Sequence, residues 1–156
     1  MRGEKALVDE ADFQMLSAYQ WRAKYGHGRV YVAASCKRVT IWMHRCIMGI
    51  TDPGIPVDHR NGNGLDNQRS NLRVATTSNN GANQTLSKAN TTGFKGAWFN
   101  GKSWYARLTV RQRHYYNGPF ATAFEAALAY DRLAVEQFGE FAKTNAMIGT
   151  LNRRSR

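Results

Sequence analysis

Asp58 and His59 stand side by side, and residues 57–83 around them concentrate groups that can act on a phosphodiester. Hydrolysis of such an ester needs a base to activate water, a cation to neutralise the developing charge, and stabilisation of the leaving oxygen. A carboxylate, an imidazole and several amides can supply these around one hard cation such as Mg2+, which takes oxygen donors and keeps several waters. Neighbours in an extended segment point to opposite sides. One of the pair Asp58 and His59 can therefore ligand metal while the other holds a water nearby, and Asn80, further on, can fold back with a second oxygen.

Those side chains need a frame, and the pattern supplies one. Residues 57–59 read as extended. Residues 60–70 read as loop, because Asn-Gly occurs there twice and tolerates positive φ. Residues 71–75 form a second extended piece, and Thr76 or Thr77 can cap a helix to about Gln84. The order is strand, loop, strand, helix.

With Asp58-His59, Asn71 in SNLR and Asn80 in SNNGAN, the segment resembles the HNH endonucleases with a ββα-metal core. More closely, it is similar to the phage- and intron-associated homing endonucleases of the H-N-N variety, firmly over residues 44–83 and loosely over the whole N-terminal half. The resemblance implies His59 as general base, Asp58 and Asn80 as ligands of Mg2+ (or Mn2+), and Asn71 as the residue that orients His59. Where many of these enzymes carry a histidine as the third motif residue, this chain has Asn80, a weaker ligand. Arg45, Arg69 and Arg73 are candidate phosphate contacts, with a solvated surface role as the alternative, and His44 is either a packing or phosphate-contacting residue or a bystander.

Upstream, residues 5–8 look strand-like. Asp9 or Asp12 can cap a short helix to about Ala18 with Phe13 and Leu16 on one side. Residues 19–21 look extended, residues 25–28 read as a turn, and residues 29–34 and 39–43 as a hairpin closed across 35–38. Residues 44–48 fit a short helix, and Pro53-Gly54 breaks it. Residues 86–92 are small and polar and read as a linker between a domain at 1–85 and another at 93–148, with a basic tail at 149–156.

After the linker, three strand-like runs (95–99, 104–110 and 114–116) precede a helix at 123–138 with apolar residues at helical spacing. The middle run alternates an apolar face with a polar, basic one. Residues 93–145, with GPFAT and EAALAYD, resemble the DNA-binding domain of plant ethylene-response factors of the Apetala-two type, whose sheet enters the major groove. That resemblance implies a docking mode through Lys95, Trp98, Lys102, Arg107, Thr109, Arg111 and Tyr116. Several arginines of the plant domains are replaced here, so it implies no target sequence.

Composition agrees with a polyanionic partner. The net charge is +11, with 12 Lys/Arg against 7 Asp/Glu in residues 1–92 and 10 against 4 in residues 93–156. Phosphates neutralised by Lys or Arg release counterions, so such an excess favours nucleic acid. Cys36 and Cys46 make no CxxC pair and read as reduced thiols. No apolar run approaches the roughly 18 residues of a membrane span, and the N-terminal residues carry no signal-peptide core.

The expectation is an α+β protein: a ββα-metal nuclease followed by a three-stranded antiparallel sheet on one helix. It would be a cytoplasmic, Mg2+-dependent endonuclease of double-stranded DNA, acting as monomer or homodimer. The rivals are a DNA-binding regulator with an inactive nuclease domain, and a ribonuclease or structure-specific nuclease.

Overall fold

The structure is a computed structural model that describes residues 3–26, 28–87 and 89–152. His27 in the expected turn, Lys88 in the expected linker and Arg153 to Arg156 in the expected basic tail lie outside the described residues. The architecture is mixed α+β, with three small antiparallel sheets. The chain divides into two compact units, residues 1–76 and 77–156.

The first unit opens with helix α1 (Glu10–Leu16), which buries Leu16 but leaves Phe13 67% exposed. Of the two apolar residues expected on one side of this helix, only Leu16 is buried. Strands β1 (Arg22–Gly26), β2 (Arg29–Cys36) and β3 (Val39–Trp42) form an antiparallel sheet in that order. The β2–β3 hairpin lies where the β-branched runs put it, with Lys37 and Arg38 both at positive φ in the turn. β1 was not legible: every residue in it is exposed, so no alternation of apolar and polar residues marks it. The expected strand at 5–8 reduces to one bridge, Leu7 to Asp66.

Helix α2 (Met43–Met48) follows β3 directly and ends on Gly49 in the left-handed conformation. Met43 and Ile47, one turn apart, face a core with Leu16, Val32 and Leu72. Strands β4 (Val57–His59) and β5 (Leu72–Val74) then pair antiparallel, His59 opposite Leu72 and Asp58 opposite Arg73.

The second unit begins with helix α3 (Thr77–Ala82). The sequence places the boundary after this helix, at 86–92; the contacts group α3 with the C-terminal unit instead. Ala82 belongs to the core of the second unit, and its carbonyl accepts from the Lys143 N–H at 3.2 Å. Strands β6 (Ala97–Phe99), β7 (Trp104–Val110) and β8 (Arg113–Phe120) form a second antiparallel sheet in sequence order. Helix α4 (Ala123–Phe138) covers one face, capped by a reciprocal pair in which Thr122 Oγ1 accepts from Glu125 N and the Glu125 carboxylate accepts from Thr122 N. Its small side chains Ala126, Ala127 and Ala134 are buried, and Ala134 and Tyr130 share a core with Ala106 and Leu108 of β7. The approach is close enough at Gly96 that a Cβ there would lie 1.9 Å from the Tyr130 ring.

Candidate functional site

His59 ends β4 and is buried. Its Nε2 faces the Asn67 Oδ1 at 3.4 Å, a long contact. Asn67 is fully buried, and its amide also donates to the Gly64 carbonyl at 3.4 Å. With Nε2 carrying the proton toward Asn67, Nδ1 is the basic nitrogen of the ring. Burial lowers the His59 pKa from its ordinary value, against the opposing effects of Asn67 and of the Asp58 and Asp66 charges. The imidazole is therefore neutral at pH 7, the form that can take a proton.

The wall of the site is aromatic. Tyr31 of β2 lies 5.9 Å from His59 and 6.0 Å from His44, centroid to centroid, and Trp42 lies 6.1 Å from His44. His44 meets His59 edge to face at 5.1 Å. Burial, with His59 and Arg45 adding to it, pushes the His44 pKa down to about 4. Arg29 lends a cation on this side, donating to the Tyr31 hydroxyl at 3.4 Å.

Asp58 is buried on the same short strand, and Arg73 reaches it across the pair. Both Nε and Nη2 of Arg73 donate to Asp58 Oδ2, at 2.9 and 2.8 Å. Arg73 is only 6% exposed. This corrects its expected role: the guanidinium is spent on the carboxylate of the site and not offered to phosphate. The register makes the pair, since Asp58 and Arg73 are directly opposed.

The expected orienting residue, Asn71, works on the loop. Its Nδ2 donates to Asp66 O at 2.7 Å and Asn61 Oδ1 at 3.1 Å, and its Oδ1 accepts from Asn61 N at 3.0 Å. The imidazole's amide neighbour is Asn67. Asn71 thus braces the turn that carries Asn67 through Asn61 and Asp66. Gly64 in that turn sits against β2, where a Cβ would lie 2.3 Å from the Val30 carbonyl oxygen. Asn80, expected as the second metal ligand, is on α3 in the second unit and half-buried. The first unit brings together Asp58, His59 and Asn71.

Three further expected phosphate contacts are also held within the protein. Arg45 Nη1 donates to the Ile55 carbonyl at 2.7 Å, and its Nη2 to the carbonyl of Asp52, which ties down the loop leading into β4. Arg69, 54% exposed, grips Asp12 at 2.9 and 2.6 Å. Lys95 Nζ donates to the carbonyls of Ala82, Gln84 and Lys143 at 2.6, 2.7 and 2.9 Å. Those contacts replace the expected role of Lys95 at a DNA surface.

The open face of the second sheet carries the rest of the set. Trp98 contacts Tyr105 at 5.9 Å and Tyr116 at 5.4 Å. Arg107 is opposite Tyr116, and Thr109 is opposite His114 with a 2.9 Å contact between Oγ1 and Nδ1. Lys102, Arg107, Thr109, Arg111 and Tyr116 are all exposed.

Tyr31 and Asn67 were not singled out from sequence. Asn67 lies in the same Asn-rich run as Asn61 and Asn63, and only the fold shows which amide meets the ring. Tyr31 looks like any strand aromatic. Among the described residues, no group of three or more His, Cys, Asp or Glu side chains is placed to hold a metal ion. No helix among them is long and apolar enough to cross a membrane. Comparison with protein-family models, with curated proteins and with solved structures returns no match for this chain.

Proposed function

We propose that the protein is a metal-dependent DNA endonuclease of the HNH kind, with its second unit as a sheet-based DNA reader. One observation carries the reading: His59, buried and kept neutral, sits beside a buried carboxylate on a two-strand hairpin whose connecting loop is braced by Asn61, Asn71 and Asp66. A neutral imidazole fixed by Asn67 is suited to take a proton from water. Rigid support of this kind keeps a catalytic group in one geometry.

The donor set fits Mg2+ in the manner usual for that ion, which is held by one or two carboxylates plus substrate phosphates and waters. Asp58 would be the protein ligand here, and Arg73 fixes its orientation through Oδ2. When bound, the cation would neutralise charge developing on the phosphate. His59 accepts the proton of the attacking water, which leaves 5′-phosphate and 3′-hydroxyl ends.

A second reading is favoured by the Arg73–Asp58 pair. A guanidinium already neutralises Asp58, the carboxylate that would hold the ion, which weakens its hold on a cation. On that reading the protein is a DNA-binding regulator with a weak or inactive nuclease domain. Incubation with supercoiled plasmid, single-stranded DNA and RNA separates the readings. The endonuclease nicks or linearises plasmid with Mg2+, not with EDTA, and His59→Ala slows it by about 10²–10⁴-fold. Plasmid left intact at all Mg2+ and Mn2+ concentrations, while duplex is still bound, supports the regulator. Preference for RNA overturns the DNA assignment.

A further inference from the structure

His44 has no part in the proposed hydrolysis so far, yet it shares the site with His59. It lies in the first turn of α2, and its ring stands edge to face with the His59 ring at 5.1 Å. Its Nδ1 is buried, and among the described residues it is the one buried side-chain nitrogen or oxygen with no hydrogen-bond partner. A histidine kept for internal structure normally satisfies its buried nitrogen. A phenyl ring would fill the space between Tyr31, Trp42 and His59 without leaving a polar atom orphaned. The polar capacity of His44 therefore resides at Nε2. With no acceptor beside Nδ1, the neutral ring carries its proton on Nε2, as a donor.

Two imidazoles whose centroids are 5.1 Å apart can flank a single phosphate group, whose oxygens lie about 2.5 Å apart and accept hydrogen bonds of about 2.8 Å. We propose that His44 is a second catalytic residue, donating a hydrogen bond from Nε2 to a non-bridging oxygen of the scissile phosphate while His59 takes the proton of the attacking water. The step balances without a redox partner. Water oxygen bonds to phosphorus, its proton passes to His59, the bond from phosphorus to the 3′ oxygen breaks, and that oxygen takes a proton from solvent. His44 makes and breaks no covalent bond. Its donor meets charge that grows on the phosphoryl oxygens as water adds. A neutral donor is adequate for this, as no proton is transferred from it.

The inference rests on the nuclease reading, and one set of single-turnover measurements with enzyme in excess over supercoiled plasmid tests both. His44→Phe keeps the ring and removes the donor; His44→Gln keeps an N–H donor. The expected result is cleavage slowed by about 10²-fold in H44F, with duplex affinity and melting midpoint close to wild type, and recovery of at least tenfold of that loss in H44Q. Cleavage by H44F within threefold of wild type overturns the proposal. So does an equal loss in H44F and H44Q that tracks a lowered melting midpoint, since that marks a packing role. If H44F does not fold, H44Q against His44→Ala decides in the same way: equal rates overturn it, and a faster H44Q supports it. Failure of the nuclease reading looks different, because the wild-type protein then leaves plasmid uncut.

Discussion

At the scale of single residues, the site is a set of polar groups taken out of water, each needing its partner. Asp58 and Arg73 illustrate the cost. Both are buried, and removing one leaves the other charged and unpaired, a loss of about 3–5 kcal/mol for buried pairs. Arg73→Ala is therefore expected to lower the unfolding free energy of the first unit by that order, whereas Arg69→Ala is expected to cost less, because removing its 54% exposed side chain lets water reach the Asp12 carboxylate. His44 gives a signed pH dependence. Folded, it titrates at about 4; unfolded, near 6.5. Between those values the unfolded chain binds more protons, so stability declines as pH falls from 6.5 to 4, by up to about 3 kcal/mol from this residue. Burial acts in the same direction on His59. Urea unfolding at pH 7 and pH 4.5 measures the decline, and His44→Gln is expected to flatten it.

Elements follow the sequence where their periodicity is strong. The helix at 123–138 was legible residue for residue, because apolar residues at helical spacing mark its face; the Thr122/Glu125 pair that caps its start emerged only from the structure. The two halves of the β2–β3 hairpin were legible from β-branched runs. β1 was not, because an edge strand with no buried side chain carries no burial pattern. The role of Asn71 was not legible: it was expected on the strand at 71–75 but ends the 3-10 turn Arg69–Asn71 just before β5, and the contact it makes depends on how the loop folds back between β4 and β5. Arg73 and Lys95 show a general difficulty, since a basic residue reads the same whether it faces phosphate or closes a gap between carbonyls or carboxylates. The loop itself is expected to be sensitive. In Gly64→Ala the new methyl meets the backbone carbonyl of Val30 at 2.3 Å and the Tyr31 ring at 2.6 Å, and a carbonyl in a strand cannot swing aside. Overpacking of this sort costs about 1–3 kcal/mol, and plasmid cleavage is expected to fall further than stability does, since the displaced turn carries Asn67 away from His59. Equal thermal midpoints and equal cleavage rates for G64A and wild type would sink the idea that the loop sets the base.

For the whole molecule, the proposed function raises the question of which charges would meet DNA. The net charge is +11, yet Arg45, Arg69, Arg73 and Lys95 are bonded to carbonyls or carboxylates within their own units. Their contribution to affinity comes through fold, not through ion pairing with phosphate. Lys102, Arg107 and Arg111 differ: each is exposed, with Arg107 on β7 and Lys102 and Arg111 in the turns at its two ends, in the unit whose sheet displays Trp98, Tyr105 and Tyr116. If that face carries the duplex, each phosphate neutralised contributes about 0.9 to the slope of log affinity against log salt. The triple variant Lys102→Ala, Arg107→Ala, Arg111→Ala is then expected to bind duplex more weakly at about 50 mM salt and to reduce the slope by up to about 3. His59→Ala should leave both affinity and slope as in wild type, because a neutral buried imidazole releases no counterion. Fluorescence anisotropy of a labelled duplex across a salt series measures both quantities. An unchanged slope in the triple variant would move the DNA surface off this sheet, to the remaining cations of either unit. A changed slope with unchanged cleavage of bound plasmid would separate the work of the two units: the second holds DNA, and the hairpin of Asp58 and His59 acts on it.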